Sequence, residues 1–136
     1  MDADNKVCGV DPESGYVDLA AEVLKILAEP TRVRIILALR RTPELSVNSL
    51  AQVVGKSGPG VSQHLAKLRM ARMVATRQDG TRVLYRLADK HPALLVEQAI
   101  KQAEHSVSHG QDRPHHHPGD PAIAPSPRSP EDESGH

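Results

Sequence analysis

Apolar residues recur at helical spacing from Val17 to about residue 70, then alternate with polar ones for about fifteen, then return to helical spacing. In "VDLAAEVLKILAEP", Val17, Ala20, Ala21, Leu24 and Leu27 form one stripe and predict a helix from Val17. Pro30 ends it and opens the next, because a proline lacks the N–H that a first-turn residue does not need. "PTRVRIILALR" continues with Val33, Ile36, Leu37 and Leu39 inward and Arg32, Arg34, Arg40 and Arg41 outward. "TPELS" interrupts the pattern. Ser46 is a good N-cap for a short helix, "VNSLAQVVG", which Gly55 closes. "KSGPG" reads as a turn, and Ser57 caps the helix that follows, "PGVSQHLAKLRMAR". There Val61, Leu65, Leu68 and Met70 are predicted to point inward, leaving Ser62, Gln63 and Lys67 outside. Gly58 and Gly60 flank Pro59 in its first turn and weaken helix propensity there by about 1 kcal/mol each.

"MVATRQ" and "TRVLYRL" alternate, with Asp79-Gly80 between them, which is a strong short-range hairpin signal. Asp89 then caps a last helix with Pro92 in its first turn and a broad apolar face of Leu94, Leu95, Val96, Ala99, Ile100 and Ala103. The predicted order is α-α-α-α-β-β-α, a mainly α chain with one small β-hairpin. Two short consecutive helices ahead of a hairpin make a helix-turn-helix followed by a wing. The expected organisation is an N-terminal arm over 1–15, a winged helix-turn-helix and dimerisation domain over 16–108, and a disordered tail rich in His, Pro and Ser over 109–136.

Composition narrows the class. The 136 residues suit one domain, and with no Trp, no Phe and two Tyr the core must be aliphatic, which favours oligomerisation. Cys8 is the single cysteine, so an internal disulfide and a multi-cysteine zinc site within one chain are excluded. A reducing, cytoplasmic setting fits. No apolar run approaches the length of a membrane span, and "MDADNKVCGV" has no signal-peptide core. The net charge is zero but uneven: residues 30–90 carry +9, residues 1–29 carry −5 and residues 91–136 carry −4. The basic middle coincides with the helix-turn-helix and marks it as a polyanion-binding surface.

A helix-turn-helix lays its second helix in the major groove, with the first turns touching base edges. Ser57, Ser62, Gln63 and His64 are the candidates there, and Gln63 has the donor and acceptor pair that matches adenine. Lys67, Arg69 and Arg72 are candidates for phosphate, and Arg77 and Arg82 flank the wing tip. The expected partner is double-stranded DNA. There is no nucleophile–base pair and no phosphate-cradling glycine loop, so an enzyme is not expected.

"VLKILAEPTRVRIILAL", "VSQHLAKLRMARMV" and "RQDGTRVLYRL" resemble the ArsR/SmtB family of metal-sensing winged-helix repressors, over about residues 17–105. The block "SVNSLAQVVGK…VSQHLAKLRMAR" is especially similar to its nickel- and cobalt-sensing members. The resemblance implies a homodimer that binds an imperfect inverted repeat when metal-free and leaves it on binding metal, derepressing efflux or resistance genes. Where thiolate sensors of the family carry Cys-Val-Cys, this chain has Ser46-Val47-Asn48. On the last helix Asp89 and His91 match the first half of the zinc and nickel pattern, Gln102 stands where a histidine is expected, and His105 matches the end. The nickel and cobalt pattern instead implies His91, Glu104 and His105, joined by His109, His115 and His116 from the tail, with His117 beside them.

His91 and His105 are fourteen residues apart on one helix face, about 21 Å along the axis, too far for one ion. A site shared between antiparallel last helices of two protomers would bring His91 of one to Glu104 and His105 of the other. Val17, Leu24, Leu94, Leu95 and Ile100 are the candidate dimer face. Imidazole and carboxylate donors suit Ni(II) or Co(II), with Zn(II) also accommodated. Two alternatives stay open. One is a repressor of this fold that senses zinc, oxidation through Cys8 or an organic ligand, and the other is a metal-buffering interaction protein.

Overall fold

The computed structural model describes residues 10–109. The elements are α1 (Val17–Leu27), α2 (Pro30–Arg41), β1 (Leu45–Ser46), α3 (Val47–Val54), α4 (Gly58–Met70), β2 (Val74–Asp79), β3 (Arg82–Leu87) and α5 (His91–His109). The described residues fall into two units, 10–98 and 99–109, with the boundary inside α5.

The first unit is built on an aliphatic core. Ile35 and Ile36 of α2, Leu50 of α3, and Val61, Leu65 and Leu68 of α4 are fully buried. Each such side chain contributes about 1.5–3 kcal/mol by leaving water. Leu39, Met73, Val74, Leu84, Ala93 and Val96 extend this core. The α3–α4 pair is the helix-turn-helix, and its corner follows the sequence. Ser46 Oγ accepts the Ser49 N–H, Gly55 closes α3 at φ +69, and Ser57 Oγ accepts the Gly60 N–H.

The sheet has three strands, not the two expected, in the order β1-β3-β2 and antiparallel throughout. Leu45 and Ser46 pair with Tyr85 and Leu84, inside the stretch that interrupts the helical pattern. The hairpin forms where Asp-Gly predicts it, but one residue later. Asp79 pairs with Arg82, so the two-residue loop is Gly80–Thr81. Gly80 sits at φ +69, and no non-glycine residue of the loop does, as in a type II′ turn.

Three facing assignments need correction. Met70, expected inside, is 83% exposed. It lies about 200° round the helix from Leu68, off the face that Val61, Leu65 and Leu68 define, on the lip of a groove of about 380 Å³ lined also by Leu19, Val23 and Ile26. Arg32, expected outside, is half-buried, and Ile35 carries the centre of the α2 face. The stripe predicted for α1 also faces outward except at Leu27, while Val23 and Ile26 are half-buried.

The end of α4 stores backbone strain. The Met73 N–H donates to the Leu68 carbonyl and the Arg72 N–H to the Arg69 carbonyl. That is the paired bonding of a Schellman cap, with Leu68 and Met73 both buried beside it. The cap requires a left-handed residue, and here it is Arg72 at φ +63 instead of glycine. Arg72→Gly is therefore expected to raise unfolding stability by about 1 kcal/mol, read as a higher urea midpoint with an unchanged slope. An unchanged or lower midpoint would show that the strain is not there.

Candidate functional site

The first turn of α4 presents the DNA-reading candidates. Ser57 caps it, and a Cβ on Gly60 would stand 3.2 Å from the Ser57 Oγ. Glycine therefore leaves the capping hydroxyl undisturbed. The position of Gly58 is open, with nothing within 4 Å of an added Cβ. The two glycines that weaken the turn in sequence are thus compatible with a formed, capped helix start. Ser57, Ser62, Gln63, Lys67 and Arg69 are exposed. The helix presents a polar and basic ridge, with hydroxyl and amide groups near its N-terminus and cations further along.

His64 is more covered than the rest of that ridge. Its side chain is 24% exposed. Its Nδ1 accepts a hydrogen bond from Arg32 Nε at 3.1 Å. Arg32 also donates through Nη1 to the Ile26 carbonyl at 2.9 Å, and its backbone N–H donates to Glu29 Oε1 at 3.1 Å. Burial pushes the Glu29 carboxyl up. The Arg32 N–H, the nearby His64 ring when protonated, the Thr31 N–H and the Arg32 charge outweigh that and leave it below the usual carboxylate range. Arg32 and Glu29 escaped the sequence reading, since an arginine in a helical stripe gives no sign of folding inward.

The wing is also tied down. Arg77, predicted to reach toward DNA, donates from Nε and Nη2 to both carboxylate oxygens of Glu44, at 2.7 and 2.9 Å. Those bonds hold the Glu44 carboxyl below its ordinary range and the Arg77 guanidinium above its own. Arg82, beside the loop, is the more open cation, with Asp79 at 3.8 Å.

On α5 the N-cap is Lys90, whose carbonyl accepts the Leu94 N–H, and Asp89, expected to cap, stands one residue earlier with its Oδ1 accepting the His91 N–H at 2.8 Å. Glu97 pairs with Arg40. His91, Glu104 and His105 are exposed. Gln102 Nε2 donates to Ser106 Oγ at 3.4 Å. Among the described residues no three of His, Cys, Asp and Glu come together in a way that could hold a metal ion. His115, His116, His117 and Cys8 lie outside the described residues, as does the side chain of His109. Of the candidate dimer residues, Val17, Leu24, Leu94 and Leu95 are 46%, 56%, 46% and 40% exposed. Ile100 is half-buried.

The bacterial regulatory protein arsR family matches residues 29–76, from the α2 cap to β2. The chain is 50% identical over 110 residues to the HTH-type transcriptional regulator KmtR of Mycobacterium tuberculosis, covering 80% of this chain and 82% of that one. It belongs to the ArsR family. The HTH-type transcriptional repressor SmtB of the same organism is 40% identical over 92 residues, 68% of this chain and 67% of that one. Among solved structures, the homodimeric winged helix-turn-helix DNA-binding domain of a possible ArsR-family regulator from Mycobacterium bovis matches with a TM-score of 0.64 and 30% identity. That match covers 79% of this chain and 95% of that one. The ArsR-family chain is thus a transcriptional repressor of winged helix-turn-helix fold and not an enzyme. No helix among its described residues is long and apolar enough to cross a membrane.

Proposed function

We propose that this ArsR-family repressor binds double-stranded operator DNA as a homodimer and is released on binding nickel or cobalt, derepressing efflux or resistance genes. The operator is an imperfect inverted repeat, read by one α4 per half-site. The observation that carries the DNA-reading half is the capped, exposed start of α4. Ser62 and Gln63 stand where a recognition helix meets base edges, and Lys67 and Arg69 where it meets phosphate.

The donor set fits a divalent metal of intermediate softness. His91, Glu104 and His105 offer imidazole and carboxylate without thiolate, and all three are exposed on α5. They are the residues that would hold the ion, with His109, His115 and His116 as additional donors. A bound ion supplies a crosslink between side chains of two protomers. The His91 backbone is fixed by Asp89, so its imidazole leaves a defined helix start. Gln102 in place of histidine favours nickel and cobalt over a tetrahedral zinc site. KmtR, SmtB and the M. bovis homodimer among the relatives support a dimeric repressor of this kind.

The test is a DNA-binding titration of the full chain at fixed salt against zinc, nickel and cobalt, because phosphate contacts make affinity steeply salt-dependent. Nickel or cobalt should release DNA at lower free concentration than zinc. Release by zinc first would reassign the metal, and no release by any of the three would point to a non-metal signal.

A further inference from the structure

Arg32 sits at the start of α2, yet its guanidinium works inside the protomer. Nη1 is anchored on the Ile26 carbonyl, and Nε donates to His64 Nδ1 on the recognition helix. A guanidinium has only donors and keeps its charge. The nitrogen facing it must therefore offer a lone pair. In a neutral imidazole that places the proton on Nε2. A doubly protonated ring would set an Nδ1–H against the Arg32 Nε–H, although the Glu29 Oε1 lies 3.9 Å from the same Nδ1. Among the described residues Nε2 has no hydrogen-bond partner.

We propose that Arg32 is a positioning residue for operator reading: it locks His64 in the Nε2–H tautomer, so that α4 presents a donor there and not an acceptor. The inference rests on the DNA-reading role of α4. A donor matches guanine N7 and O6, adenine N7 or thymine O4, and is mismatched against the amino groups of cytosine and adenine. His64 thus selects an acceptor edge in each half-site. Without Arg32 the ring exchanges tautomers, accepts as well as donates, and reads less sharply, while phosphate contacts from Lys67 and Arg69 persist.

The experiment uses the full chain and a duplex selected by the unaltered protein from a randomised library. Long-range proton–nitrogen NMR reports which His64 nitrogen carries the proton, and anisotropy at fixed salt compares the selected duplex with a scrambled one. The unaltered protein should show Nε2–H. Arg32→Met should mix the tautomers and lower the selected-to-scrambled affinity ratio roughly five- to tenfold, with scrambled binding nearly unchanged. His64→Ala should lose the same ratio, and adding Arg32→Met to it should lose no more. Arg32→Lys, which keeps a donor and the charge, should retain part of the ratio.

An Nδ1–H tautomer in the unaltered protein overturns the proposal, and this reading needs no variant to fold. Equal loss on both duplexes in Arg32→Met, or a ratio unchanged, overturns it too. If the unaltered protein prefers no duplex, the DNA-reading role fails instead, and the NMR tautomer shows the two failures apart.

Discussion

His91→Ala and His105→Ala are each expected to keep the protein on operator DNA at nickel or cobalt concentrations that release the unaltered chain. Couplings between effector and ligand sites in regulators are typically 1–3 kcal/mol, so release should correspond to roughly five- to 150-fold in affinity, and each variant should lose most of it. Both imidazoles are exposed, and surface substitutions of this kind usually change stability by less than about 0.5 kcal/mol. Metal-free DNA affinity should therefore stay close to that of the unaltered protein, which separates a lost ligand from a lost fold. Anisotropy of a labelled duplex at fixed salt reads both quantities. If both variants release DNA at the same free metal concentration as the parent, these residues are not the ligands.

Joining Leu24→Asp with Leu95→Asp is expected to give a folded monomer whose operator affinity falls by about two to four orders of magnitude. Leu24 and Leu95 are 56% and 40% exposed and neither belongs to the buried core, so aspartate there leaves that core intact. Burying such a charge against a partner without compensation is costly, and the two substitutions act on two helices at once. A monomer engages one half-site, so it loses the benefit of tethering and about half the phosphate contacts. The slope of log affinity against log salt should fall by about half as well. Light scattering after size exclusion reads the mass, and circular dichroism checks the fold. A variant that stays dimeric would place the interface on other residues.

The helices were legible because their ends are punctuated by residues with one dominant local use. Ser46, Gly55 and Ser57 act where they stand in the sequence. What escaped depends on partners distant in the chain. β1 is two residues long, has no alternation to read, and exists through its bonds to Tyr85 and Leu84. Arg32 looks like any solvated arginine until His64, thirty-two residues on, offers it a lone pair. Met70 was misplaced for a simpler reason, an apolar residue assigned to a face that the helical angle does not allow. The metal candidates on α5 are visible in sequence as a pattern of donors, yet a pattern that needs a second protomer cannot be completed within one chain.

Ser46 belongs to two substructures at once: it pairs with Leu84 in the sheet, and its hydroxyl caps α3 through the Ser49 N–H at 3.2 Å. With Glu44 two residues earlier holding Arg77 on β2, the hairpin is pinned to the helix-turn-helix midway along its length. Each protomer is then a ruler of fixed length. In the proposed complex, the stretch of duplex between base pairs under α4 and backbone under the Gly80–Thr81 loop could not be lengthened without one contact or the other being lost. In the operator complex proposed above, variation among sites would fall at the centre of the repeat, where two such rulers would meet.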